Sequence, residues 1–211
     1  MHHAAEVARR LLEIKAVKLS PRDPFTWASG ILSPIYCDNR IALSHPAVRT
    51  FLVHCLAAQS AAFEPFDVVA GVATAGIPHG VLLADKLDKP FVYVRGSAKD
   101  HGRRNLIEGE LQAGQRVLVI EDLISTGGSC LTAVEALRDA GALICGVLAI
   151  FQYGFPKARV AFANHHVHFQ TLTQYDTLLQ EAIASGYVQL EDLTILQQWR
   201  ENPEGWGALY A

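Results

Sequence analysis

Between Val117 and Ser129 the chain reads VLVIEDLISTGGS, and this stretch limits the possible folds more than any other. Val117, Leu118, Val119 and Ile120 are apolar without alternation, the pattern of a strand buried on both faces of a parallel sheet. Glu121 and Asp122 follow at once, where such a strand is expected to surface. Unpaired carboxylates are costly to bury, so this tip is expected to meet water, a cation or a hydroxylated ligand. A helix should then run through Leu131, Val134 and Leu137 toward Gly141, a C-terminal cap.

The turn between that strand and helix is Ser125-Thr126-Gly127-Gly128-Ser129. Its successive backbone N–H groups can converge on one point, and the helix N-terminus adds positive partial charge. The glycines permit close approach and the hydroxyls donate further hydrogen bonds. Such a turn is a cradle for a phosphate monoester. The preceding carboxylates suit the vicinal hydroxyls of a ribose, or water around a magnesium ion. A plainer reading leaves Glu121 and Asp122 merely solvating a strand end. A Walker-type loop is excluded, because no G-x-x-x-x-G-K-[ST] occurs, and no G-x-G-x-x-G follows a strand.

Around this unit the periodicity predicts an α/β fold. Glu6 to Val17 has an amphipathic helical pattern, and Pro46 begins a second helix with Val48, Phe51, Leu52, Cys55 and Leu56 facing inward. FDVVAGVATAGIPHGVLLADKL reads as strand, glycine-rich turn and helix, PFVYVRG as a strand, and LICGVLAIF as another buried strand. ARVAFA reads as a shorter strand, Tyr175 to Ile183 as a helix ended near Gly186, and the tail as a helix followed by a turn. Alternating strands and helices imply an open, mainly parallel sheet flanked by helices, with ligands at the strand C-termini. At 211 residues and 50% hydrophobic composition, residues 1–211 suit one domain, with the Pro- and aromatic-rich residues 20–40 forming a small hood over that edge.

A net charge of −3 argues against a generic nucleic-acid binder. The four cysteines have no C-x-x-C or zinc-type spacing and read as buried thiols in a reducing compartment. The first residues carry charges where a signal peptide needs its apolar segment, and no apolar run is long enough to span a membrane. A cytoplasmic protein with no membrane partner is expected.

RGSAKDHGRR, from Arg95, concentrates cations on a polar segment flanked by Gly96 and Gly102. It reads either as a solvated charged loop or as a moving lid. As a lid, Lys99 and His101 would stabilise the charge developing on a departing pyrophosphate, and closure would exclude water.

The motif from the Glu121-Asp122 pair through Ser129 resembles the phosphoribosyl-pyrophosphate signature of the type I phosphoribosyltransferases. FTWASGILSPIYCDNR, VYVRGSAKDHG, EDLISTGGS and GYVQLEDLTILQQWRENPEGW together resemble the short bacterial branch of the orotate phosphoribosyltransferase family along nearly the whole chain. The resemblance implies that phosphoribosyl is transferred to orotate, giving orotidine 5′-monophosphate and pyrophosphate, with Mg2+. It implies substrate contacts by Arg95, Lys99, His101, the residues Glu121, Asp122, Leu123, Ile124, Ser125, Thr126, Gly127, Gly128 and Ser129, and the backbone of Thr74 and Ala75. Lys99, His101 and Asp122 take the catalytic roles, and Ser125 touches orotate. No side chain ligates magnesium directly; substrate and water hold it near Glu121 and Asp122. A homodimer whose catalytic loop reaches the partner's site is implied as well.

The chain also departs from better-known relatives. Thr74 and Ala75 stand where they carry a Tyr-Lys pair, Ala28 and Gly96 replace lysines, and Tyr153 falls where a strand-end arginine contacts orotate. Arg40 is a candidate replacement cation. Two alternatives stay open: a purine phosphoribosyltransferase with a different hood, and a regulator that senses phosphoribosyl pyrophosphate without turnover. His165, His166 and His168 read better as a partly exposed strand or turn than as a metal site. Phe25, Trp27 and Tyr36 divide evenly between stacking a pyrimidine and packing the core. Trp199 and Trp206 read as packing for the terminal helix.

Overall fold

The computed structural model describes residues 3–27, 30–96 and 106–210. Helix α1 (Ala4–Glu13) leads into β1 (Val17–Leu19), then β2 (Phe25–Thr26), β3 (Leu32–Ser33) and β4 (Ile35–Cys37). Next come α2 (Pro46–Ser60), β5 (Val68–Val72), α3 (Gly76–Leu87), β6 (Phe91–Val94), β7 (Ile107–Glu108), β8 (Arg116–Ile124) and α4 (Gly128–Asp139). The chain finishes with β9 (Leu143–Gln152), α5 (Pro156–Asn164), β10 (Phe169–Gln174), α6 (Tyr175–Ala184), α7 (Leu193–Glu201) and α8 (Pro203–Trp206).

Six strands form one sheet in the order β10-β9-β8-β5-β6-β7, parallel except for β7. Its faces follow the two-residue period of a strand. Val69, Leu118, Ile120, Leu148 and Ile150 join Leu11 of α1, Leu56 of α2, Leu83 of α3 and Leu178 of α6 in one core. Val68, Ala70, Val117, Val119 and Val147 join Leu131, Val134 and Leu137 of α4 and Phe162 of α5 in the other. The unalternating sequence of β8 follows from this: both faces of the sheet are covered, so neither set of positions needs to be polar.

From β5 the chain builds outward through β6 and β7; it then returns to β8 and builds the other way through β9 and β10. The reversal lies between β5 and β8, the crevice where open α/β sheets bind ligands beyond the strand C-termini. Two small antiparallel ladders, β1 with β4 and β2 with β3, bring together Val17–Leu19 and parts of residues 20–40, the segment expected to form a hood.

Two local expectations are corrected. Helix α1 stops at Glu13 and Val17 already belongs to β1. ARVAFA is helical within α5, with Pro156 in the first turn, where its missing N–H removes no helix bond. The sixth strand of the sheet is instead β10, and His165 and His166 lie in the turn before it.

Candidate active site

The largest correction concerns the carboxylate pair. β8 does not end at Ile120 but continues to Ile124, because β9 runs alongside it and pairs Glu121 with Ala149, Leu123 with Phe151 and Ile124 with Gln152. Glu121 is therefore inside the sheet and only 5% exposed, not at a solvated tip. Its Oε1 accepts the backbone N–H of Asp122 at 3.0 Å. Burial, and then repulsion from Asp122, push the Glu121 carboxyl well above the ordinary range. Burial raises Asp122 too, partly offset by hydrogen bonding and by the charge of Arg40. The pair thus holds protons more readily than free carboxylates, and a cation or a set of ligand hydroxyls would relieve both causes.

Glu121 sets the sign of a pH effect. Above the ordinary glutamate value of 4.5, an unfolded chain has ionised this group while the folded chain still retains the proton. Unfolding then releases a proton, so this group makes ligand-free stability fall as pH rises until the folded carboxyl has ionised. Glu121→Gln is neutral in both states. Its melting temperature should vary less than wild type's from about pH 5.5 to about pH 8.5, and should be no lower at the upper end. Thermal melts of the two ligand-free proteins with the same slope would overturn the burial account.

Beyond Ile124 the turn expected to cradle phosphate joins β8 to α4. Gly127 precedes α4 with φ +86°, and a Cβ there would lie 2.6 Å from the Phe162 ring, so only glycine fits. No side chain caps α4, leaving its first-turn N–H groups for a ligand. Gly128 and Ser129 are exposed, as is Thr126, and Ser125 is half-buried. Ile124 turns the other way: its side chain is buried in the core of the α4 face, so only its backbone remains for a ligand. Leu123 lines the hood cleft and not the phosphate turn.

On the neighbouring strand, β5 runs into the turn that holds Thr74 and Ala75 and then into α3, which also lacks a side-chain cap. The Ala73–Thr74 peptide bond is cis, and Thr74 is exposed. Since β5 and β8 are adjacent and parallel, the two uncapped helix starts stand side by side at one sheet edge. Arg95 follows β6 on the next strand over, with its backbone N–H on the Leu106 carbonyl at 2.8 Å and its Nη1 3.5 Å from Glu108 Oε1. Lys99, His101 and Ala28 lie outside the described residues. Gly96 is exposed, and among the described residues a Cβ there would meet nothing within 4 Å.

The hood and the sheet edge enclose a cleft of about 520 Å³. Thr26, Trp27, Tyr36 and Cys37 form its hood side; Leu123, Ser125 and Tyr153 form the sheet side. Trp27 takes the packing role expected of it. Its ring lies 5.6 Å from that of Tyr153 at 33°, its Nε1 donates to the Ile35 carbonyl at 3.1 Å, and it meets the fully buried Trp199 edge-on. Tyr36 keeps a free face at 39% exposure. Tyr153 is buried among Phe155, Trp27 and Trp199, and burial holds its hydroxyl protonated. Arg40 makes a two-point contact with Asp38, at 2.7 and 2.9 Å, and its charge reaches both Asp122 and Tyr36. It is a cation close to Tyr36, which lines the cleft, and the cleft's described walls carry none.

The histidines near β10 have other partners. His165 Nδ1 lies 3.0 Å from Glu135 Oε1 and His168 Nε2 lies 3.1 Å from Gln170 Nε2. Among the described residues no group of three or more His, Cys, Asp or Glu side chains could hold a metal ion. Sequence reasoning missed Asn39, which is fully buried and donates from Nδ2 to the Asp122 carbonyl at 2.8 Å, and Glu108, the partner of Arg95. No local pattern marks either, since each acts on a residue distant in sequence.

Residues 45–161 match the phosphoribosyl transferase domain family. The orotate phosphoribosyltransferase of Listeria innocua is 55% identical over 203 residues, spanning 96% of this chain and 97% of that protein. The crystal structure of orotate phosphoribosyltransferase from Aeropyrum pernix superposes with a TM-score of 0.76 at 29% identity, covering 87% of this chain and 99% of that one. The Mycobacterium tuberculosis H37Rv orotate phosphoribosyltransferase, solved in complex with 5-phospho-alpha-D-ribosyl 1-diphosphate, gives a TM-score of 0.67 at 26% identity over 83% of this chain and 98% of that one.

Proposed function

The chain belongs to the orotate phosphoribosyltransferases, within the phosphoribosyl transferase domain family, and from that premise we propose the roles its residues take. The reaction moves the phosphoribosyl group of phosphoribosyl pyrophosphate to orotate, giving orotidine 5′-monophosphate and pyrophosphate. The observation that carries the assignment of roles is the side-by-side placing of two uncapped helix starts and a carboxylate pair at the β5–β8 crevice.

The first-turn N–H groups of α4, with Ser125, Thr126 and Ser129, anchor the 5′-phosphate. Glu121 and Asp122 receive the ribose hydroxyls. The backbone of Thr74 and Ala75 takes the pyrophosphate, together with Arg95 after it leaves Glu108. Orotate enters the hood cleft, flat against Tyr36 or Trp27, with Ser125 donating to it and Arg40 balancing its carboxylate. These contacts place the base nitrogen against the ribose C1 while pyrophosphate departs, so positioning supplies much of the rate. Lys99 and His101 neutralise the leaving group. Asp122, whose affinity for a proton burial has raised, is suited to take the proton of the base.

Magnesium fits this site as a guest of the substrate. Two adjacent carboxylates, both pushed upward by burial and Glu121 also by repulsion from Asp122, favour a nearby cation, yet they are too few to bind one alone. Glu121 and Asp122 would hold it through water, with pyrophosphate oxygens completing its shell. When bound it would supply charge neutralisation at the leaving group. We also infer a cytoplasmic homodimer. The four cysteines are free, and no described helix is long and apolar enough to cross a membrane.

The test is an ultraviolet assay with phosphoribosyl pyrophosphate and magnesium, offering orotate, hypoxanthine, xanthine and uracil in turn. Turnover on orotate alone is the expected result. Turnover on a purine would overturn the base, and binding without turnover on any of the four would restore the regulator.

A further inference from the structure

Three buried polar atoms with no hydrogen-bond partner among the described residues belong to two neighbouring residues behind the carboxylate pair: Oδ1 of Asn39 and both ring nitrogens of His79. Each residue is 0% exposed. A buried imidazole with neither nitrogen satisfied is destabilising, and an apolar residue of similar size would fit the same space better. A group retained at a cost to stability, directly beneath an active site, calls for a functional explanation.

The surroundings supply one. His79 lies one turn after Gly76 on α3, on the same helix face. Gly76 sits so close to β8 that a Cβ would come within 2.5 Å of the Ile120 carbonyl oxygen and 3.2 Å of Glu121 Cα. α3 itself begins at the pyrophosphate turn. On its other side His79 faces the Asn39 backbone, which partly offsets the effect of burial on the ring, although neither nitrogen reaches ordinary hydrogen-bond geometry. Burial holds the imidazole down at about 4, so at neutral pH it is uncharged, with one N–H to donate. Asn39 leaves the hood just after β4, and its carboxamide already grips the Asp122 carbonyl at 2.8 Å. His79 therefore stands where three parts of the site meet: the hood, the pyrophosphate turn and the carboxylate strand.

We propose that His79 is a positioning residue for phosphoribosyl transfer. As the hood settles on bound substrate, the ring N–H completes a bond to the main-chain carbonyl of Asn39 and fixes the Asn39 carboxamide on Asp122. The three parts then move as one unit, and Asp122 is held in register with the pyrophosphate turn. This inference rests on the transferase reading given above.

The experiment compares wild type with His79→Leu, His79→Asn, Asn39→Ala and the His79→Leu/Asn39→Ala double variant, by thermal melt and by steady-state kinetics with orotate and phosphoribosyl pyrophosphate. His79→Leu is expected to melt no lower than wild type, because it removes a partnerless polar group, yet to lose on the order of 10- to 100-fold in kcat. KM for phosphoribosyl pyrophosphate should change little. His79→Asn, which restores one N–H donor, should recover most of the activity. In the Asn39→Ala background, His79→Leu should cost nothing more, since both act through one contact. Wild-type kcat in His79→Leu would overturn the proposal. So would parallel losses of melting temperature and kcat in both His79 variants, which mark plain packing, or independent losses that multiply in the double variant. A silent wild type would defeat the transferase reading, whereas an active wild type beside an equally active His79→Leu defeats only this inference.

Discussion

Gly76→Ala should lower stability by about 1–3 kcal/mol, the usual cost of overpacking a close contact, and turnover on the order of 100-fold. The new methyl would lie 2.5 Å from the Ile120 carbonyl oxygen, 3.2 Å from Glu121 Cα and 3.3 Å from the Ile120 carbonyl carbon. All three atoms are backbone of a central strand paired on both sides, so no side chain can swing away to relieve the clash. The helix must move instead, and the start of α3 carries the proposed pyrophosphate turn with it. A shift of about 1 Å there separates the leaving-group site from the ribose site, which is why function should suffer beyond the stability loss. Gly128→Ala is the matched control. Its Cβ would have nothing within 4 Å among the described residues, yet it stands in the proposed phosphate cradle. It should melt like wild type and raise KM for phosphoribosyl pyrophosphate. Equal melting temperatures for Gly76→Ala and wild type would refute the close-packing account.

The contrast between these glycines shows what a sequence reader can see. Gly127 and Gly128 were legible, because a glycine pair after a buried strand and before an amphipathic helix has few uses besides a turn that approaches a ligand. Pro46, at the start of α2, was equally plain. ARVAFA was not: six residues, five of them apolar and three of them alanine, fit a short strand or two turns of helix, and only the docking of Phe162 against Gly127 decides the matter. The burial of Glu121 was hidden for another reason. It depends on β9 reaching as far as Gln152, a pairing that nothing in the sequence around Glu121 foretells. Asn39 and Asp122 are 83 residues apart, so their hydrogen bond leaves no periodic trace. The chemistry of the site was thus readable where it lies within one strand–turn–helix, and unreadable where separate segments meet.

Lys99→Ala is expected to reduce kcat on the order of 100- to 1,000-fold, in the range for removing one preorganised stabiliser of transition-state charge. Its effect on phosphoribosyl pyrophosphate binding should be far smaller. The charges at the described part of the site explain why so much would depend on this residue. Glu121 and Asp122 contribute negative charge or protons, Arg40 is held by Asp38, and Arg95 is held by Glu108. Pyrophosphate already carries negative charge when bound and gains more only as its bond to C1 breaks, so in its proposed role Lys99 acts mainly on the transition state. Equal losses in kcat and in binding would instead make Lys99 a ground-state anchor. The same variant tests the proposed dimer. If the loop of one subunit serves its partner's site, Lys99→Ala and Asp122→Asn damage different halves of each composite site. Mixing the two inactive proteins under subunit exchange should then regain activity that neither has alone, because one site of the mixed dimer receives an intact loop and an intact carboxylate pair. If each loop closes on its own subunit, every site keeps one defect and the mixture stays inactive.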